Sequence, residues 1–275
     1  MSRVRHPAVA GAFYDGDPEI LRRHVDLLLA RADVPTIKGS IKGLVSPHAG
    51  YMYSGSTAAA GYKLLQGKSY DAVILVGPSH REFFNGASIY PGDAYRTPLG
   101  DVPIHAGVRD ELAKESTAVM VSESGHRSEH CLEVQLPFLQ RVLGEFSIVP
   151  IIIGNQRREF CFTLGSALST VARTKNVLLV ASSDLSHYHP YAEAVNLDKR
   201  AIAFIEAMDD ETLMEKLEDE HVEACGGGPV VAVLHAAKHL GANRSQVLFY
   251  CNSGDVTGDR DAVVGYLSAA FLQVD

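Results

Sequence analysis

Three apolar runs in this 275-residue chain end within a few residues in histidine or aspartate. Gly43-Leu44-Val45 leads into Ser46-Pro47-His48-Ala49-Gly50-Tyr51, and Ala72-Val73-Ile74-Leu75-Val76 into Gly77-Pro78-Ser79-His80. Val177-Leu178-Leu179-Val180-Ala181 leads into Ser182-Ser183-Asp184-Leu185-Ser186-His187. Ligands of an open α/β sheet bind in the crevice outside the carboxyl ends of its strands. If the three runs are neighbouring strands, their tips gather three imidazoles and a carboxylate in one crevice. That composition suits a metal site or an acid–base site.

The individual residues carry different chemistry. His187 carries an imidazole, the side chain best suited to general acid or base work near neutral pH. Asp184 could fix its tautomer or hold a metal-bound water, or it could cap the following helix. His130 and Glu133 stand three apart at an expected helix start, where both could face one pocket, although capping of the first turn by Ser128 or Glu129, with an early carboxylate suiting the helix dipole, explains the pattern equally well. Tyr51, next to the His48 loop, is taken as a pocket residue. Cys225 lies in Glu223-Ala224-Cys225-Gly226-Gly227-Gly228-Pro229 ahead of an apolar helix. A thiol there is inclined to ionise and is a soft ligand for iron, copper or zinc. Cys131, Cys161 and Cys251 read as small buried hydrophobes. His126 reads as an exposed loop residue, Tyr188 and His189 as flanking loop. The triple glycine lacks the lysine of a phosphate-binding loop.

The elements that must position these groups alternate between strand and helix. Asp17-Pro18 opens a helix that ends before Val34-Pro35. A strand at 43–46, a small-residue helix at 55–65 and a strand at 72–76 follow, then loops and hairpins over 77–103 around a short strand at 87–90. Helices at 108–114 and 134–143, a strand at 147–153, a helix at 158–171 and the strand at 177–181 come next. Helices near 191–207, 210–218 and 228–240 precede closing strands at 246–251 and 262–271. This pattern predicts a single α/β domain over 1–275, with a mixed, mostly parallel sheet flanked by helices on both faces.

Composition narrows the function classes. A net charge of −8 and a pI near 5.8 argue against a nucleic-acid backbone as partner. No apolar segment approaches the roughly 18 residues of a membrane helix, and no long apolar stretch follows Met1–His6 as in a secretory signal. Four scattered cysteines with no CxxC pair suit a reducing cytoplasm. A soluble, cytoplasmic protein is expected.

Taken together, the motifs resemble the Memo family (mediator of ErbB2-driven cell motility and its microbial homologues). They include Pro7–Tyr14, His48-Ala49-Gly50-Tyr51-x-Tyr53-Ser54-Gly55, Gly77–His80 and Tyr95–Gly100. Glu129-His130-x-x-Glu133-x-Gln135-Leu136-Pro137, Ser182-Ser183-Asp184-x-x-His187, Cys225-Gly226 and Asn252–Asp255 continue the match. The resemblance implies a fold like that of class III extradiol dioxygenases, which use non-haem Fe(II). It implies a metal held by His48, His80 and Cys225, with Asp184 and His187 lining the pocket and His187 in the place of those enzymes' acid/base histidine. Cys225 stands where the dioxygenases use a carboxylate, which argues against aromatic ring cleavage.

Three functions follow. The first is an iron- or copper-dependent, dioxygenase-like oxidoreductase. The second is a non-catalytic metal- or peptide-binding signalling protein. The third is a zinc hydrolase with Asp184 or Glu133 activating water. The substrate, small molecule or peptide, is not legible. The resemblance also implies AMMECR1-like and radical-SAM proteins as pathway partners.

Overall fold

The computed structural model describes residues 3–275; Met1 and Ser2, the start of the segment read for a leader, lie outside it. Its elements begin with Val4–Arg5 (β1), Pro18–Arg31 (α1), Ser40–Ser46 (β2), Tyr51–Lys63 (α2) and Ala72–Pro78 (β3). Three short strands, Ala87–Ile89 (β4), Ala94–Thr97 (β5) and Gly100–Pro103 (β6), precede Ala106–Glu115 (α3) and Val119–Val121 (β7). A 3₁₀ turn at Glu133–Gln135 runs into Leu136–Val142 (α4), followed by Ile148–Ile153 (β8), Arg158–Ala172 (α5), Val177–Ser182 (β9) and Asp184–His189 (β10). Tyr191–Glu206 (α6), Asp210–Glu218 (α7), Gly227–His239 (α8), Arg244–Asn252 (β11), Ser253–Thr257 (α9) and Val263–Gln273 (β12) complete the chain.

The main sheet runs β10-β12-β2-β9-β3-β8-β4-β7, with β11 on the other side of β12; β1, β5 and β6 form a small second sheet. β2, β9, β3 and β8 are mutually parallel, while β12 and β4 run antiparallel to their neighbours in that group. The parallel strands are continuous apolar runs because both faces are covered, and every residue of β3 is buried. One face packs on α3, α5, α7 and α8, the other on α1, α2 and α4. This is a single α/β domain with helices on both sides of a mixed sheet. Among the described residues, no helix is long and apolar enough to cross a membrane.

Local sequence explains the framing helices. The Asp17 carboxylate accepts the amides of Glu19 and Ile20, and Pro18 occupies the first turn where its missing N–H is harmless. α2 packs closely on the sheet through small residues: a Cβ at Gly61 would fall 2.6 Å from Ser268 Oγ. α2 also begins at Tyr51, four residues before the expected Gly55, because the Tyr53 and Ser54 amides already bond to the Gly50 carbonyl.

Two expectations fail outright. Asp184–His189, where a capping aspartate and a flanking loop at Tyr188 and His189 are expected, is strand β10, paired with β12 through two register shifts that flank His187. His126, read as exposed loop, is buried, with Tyr95 Oη 2.6 Å from its Nδ1 and the Ser88 carbonyl 3.0 Å from its Nε2. β7 carries no alternation strong enough to be seen in the sequence; it exists because its backbone pairs with β4.

Candidate metal centre

The register of the central strands brings the strand tips level. Ser46 of β2 pairs with Ser182 of β9, and Val76 of β3 with Ala181. The residues beyond those points, His48, His80 and Asp184, therefore emerge at one edge of the sheet. A cavity of about 610 Å³ opens there, lined by His48, His80, His130, Asp184, His187 and Cys225 together with apolar and aromatic walls. The donor atoms of His48, His80 and Cys225 all lie within 4.8 Å of one another. The rings of His48, His80 and His130 are 4.9–5.4 Å apart, centroid to centroid.

Hydrogen bonds fix which nitrogen of each ligand-type histidine faces the cavity. Ser182 Oγ donates to the Cys131 carbonyl at 2.7 Å and accepts from Gln135 Nε2 at 2.9 Å. Its one proton is thus committed, so the contact of 2.9 Å to His48 Nδ1 has the imidazole as donor. His48 Nε2 is left with its lone pair, 3.0 Å from Cys225 Sγ. His80 does the same against a carboxylate: Nδ1 donates to Glu129 Oε1 at 2.9 Å. Burial, followed by the neighbouring His80 and His130 imidazoles, holds the His48 pKa well below its usual range, so that ring is neutral. An imidazole whose outer nitrogen is engaged by a hydrogen-bond partner and whose inner nitrogen faces the cavity is the arrangement a metal requires.

Cys225 reaches the site from the turn before α8. A Cβ at Gly226 would sit 2.2 Å from the Ser182 carbonyl oxygen, so only glycine lets this turn press against the end of β9. The Asp184 amide donates to the sulfur at 3.3 Å. The expectation of a readily ionised thiol is corrected: burial, then the adjacent Asp184 carboxyl, pushes its pKa up. A cation is what would draw off that proton, since metal binding deprotonates a coordinating thiol. Two lone pairs and a thiolate-forming sulfur around one point fit a metal ion.

Asp184 and His187 stand beside this set. Asp184 accepts the His48 amide at 2.8 Å, and burial nonetheless pushes its carboxyl up to about 6. His187 Nδ1 donates to the Leu185 carbonyl at 2.8 Å, leaving Nε2 as the basic nitrogen. The residue after it, Tyr188, has φ +62°, a conformation uncommon for a large side chain, and lies exposed at the rim.

Two expected pocket residues are elsewhere. Glu133 is buried in an ion pair with Arg5 and accepts the amides of Ala8 and Val9 and the hydroxyl of Tyr14. The shared helical face assumed for His130 and Glu133 does not exist: His130 precedes the 3₁₀ turn and lines the cavity, while Glu133 pairs with Arg5 in the core. Tyr51 is turned into the core, its hydroxyl donating to the Val134 carbonyl at 2.6 Å; Tyr53 and Tyr266 line the cavity instead. Glu129, considered only as a capping residue, is the carboxylate that orients His80. No spacing marked it, since its partner lies 49 positions away.

A family model described as Memo-like protein matches residues 5–270. The chain belongs to the Memo-like family. A MEMO1 family protein of Aquifex aeolicus is 42% identical over 271 residues, covering 98% of this chain and all of the relative. One from Methanothermobacter thermautotrophicus is 38% identical over 272 residues, covering 96% and 98%. Among solved structures, an uncharacterized protein from Escherichia coli K12 matches this Memo-like chain with a TM-score of 0.59. That likeness has 16% identity and covers 84% of this chain and 100% of the other, so it speaks for the fold alone.

Proposed function

We propose that this Memo-like chain is a non-haem metal-dependent oxidoreductase acting on a small molecule, with His48, His80 and Cys225 as the ligands. The observation that carries the reading is the convergence of three donor atoms within 4.8 Å, with the remote nitrogens of both histidines engaged by Ser182 and Glu129. Iron or copper bound there would supply one-electron chemistry and open coordination positions. The chain's own groups supply the rest. His187 Nε2 accepts or returns a substrate proton, and its Nδ1 bond to the Leu185 carbonyl holds the ring for that task. Phe13, Tyr53 and Tyr266 wall the cavity beyond the donors, a lining suited to the body of a small organic molecule.

The zinc-hydrolase alternative loses one of its two candidate bases, because Glu133 is sequestered against Arg5. The test is anaerobic loading with Fe(II) or Cu(I), followed by oxygen uptake with and without small reductants. Oxygen-dependent turnover of the loaded protein, lost in His187→Ala, is the expected result. Absence of redox cycling with either metal would overturn the reading.

A further inference from the structure

The opposite end of the same sheet carries a second cavity, of about 620 Å³. It opens at the amino ends of β2 and β9 and the segment leading into β3, beside the carboxyl ends of α5 and α8. β2 is seven residues long, so at the rise of an extended strand the two cavities are about 20 Å apart. Lys42, Lys68, Arg173 and Lys175 line it, and no carboxylate does so among the described residues. This concentration of positive charge belongs to a chain whose net charge is −8.

Most of that charge is uncompensated. Lys175 is paired with Glu111 at 2.7 Å. Lys42, Lys68 and Arg173 have no ion-pair partner among the described residues. The carboxyl ends of α5 and α8 attract cations to this region, yet Lys42 is on a strand and Lys68 lies beyond the last turn of α2. A concave site also focuses the field of its charges, raising the local concentration of an oppositely charged ligand.

We propose that this cavity binds a small, multiply charged anion, independently of the metal centre. Arg173 offers a planar fork of donors and the two lysines mobile point charges, the combination that recognises phosphoryl or clustered carboxylate oxygens. Tyr70 and Leu240 provide an apolar wall for the uncharged part of such a ligand. The size matches that of small-molecule sites rather than of a macromolecular interface.

Titration calorimetry of the intact protein with inorganic pyrophosphate and, separately, with citrate at low salt tests this. At least one anion should bind saturably, and affinity should fall with added salt. Pyrophosphate alone assigns the site to phosphoryl ligands, citrate alone to oligocarboxylates. Lys42→Gln and Arg173→Gln should each weaken binding by about tenfold, with unchanged thermal melting. Arg141→Gln, which removes a cation outside the cavity, should leave binding intact. No binding of either anion, or equal weakening in all three variants, overturns the proposal.

Discussion

Glu129 Oε1 lies 2.9 Å from His80 Nδ1, and the same carboxylate accepts the backbone N–H groups of His80, His130 and Cys131. Burial alone would raise its pKa, but the hydrogen bonds from His130 and His80 hold it well below the usual carboxylate range. One ionised side chain thereby sets the loop after β3, the turn before α4 and the orientation of a candidate ligand. It is the clearest case here of a residue acting on the site through another.

Glu129→Gln should therefore lower metal affinity by about 10–100-fold, the usual cost of losing such an orienting partner. Competition with a chelator of known affinity measures it. Unchanged affinity would mean that the packing of His130 against His80, rather than Glu129, fixes the ring.

Cys225→Ser should leave the fold intact and remove the thiolate-to-metal absorption of the copper-loaded protein, because a hydroxyl cannot replace the soft sulfur donor. Optical titration with Cu(II) reads the outcome. A persistent thiolate band would assign the sulfur to another cysteine.

Arg5→Met should destabilise the protein by about 3–5 kcal/mol, since it strands the Glu133 charge in the core. Combining it with Glu133→Leu should restore only part of the loss, because the amides of Ala8 and Val9 and the Tyr14 hydroxyl would then lack their acceptor. Urea unfolding of the three variants at neutral pH provides the comparison.

Stability should fall as pH drops from about 6.5 towards 4, in part through His126. Burial lowers its pKa from 6.5 to about 4, so the folded state favours the neutral ring. Its contribution is complete above the unfolded pKa and is lost as pH falls through the folded value. His126→Gln should be less stable at pH 7 and should lose less between pH 7 and pH 4.5. Parallel losses in both proteins would assign the acid sensitivity to other groups.

Much of the fold was legible because the parallel strands must be buried on both faces, which leaves apolar runs with abrupt ends. The same ends marked His48, His80 and Asp184 for one crevice. β10 was not legible: Asp184-Leu185-Ser186-His187-Tyr188-His189 has neither an apolar run nor a clean alternation. Its extended form comes from pairing with β12, and the two register shifts let His187 face the cavity. His126 misled for a related reason, since a polar side chain can be buried wherever a hydroxyl and a carbonyl await it.

The α/β alternation, the strand-end placement of the histidines and, through the motifs, the family are all legible in the chain before it folds. Local periodicity and loop composition act over a few residues, and these features need no more. The packed fold selected which side chains share the cavity. It turned Glu133 to Arg5 and Tyr51 to the core, set Glu129 behind His80, and carried Cys225 across 177 positions to within 3.0 Å of His48. Those choices depend on strand order and register, which are settled by packing between segments far apart in the chain and leave no local mark.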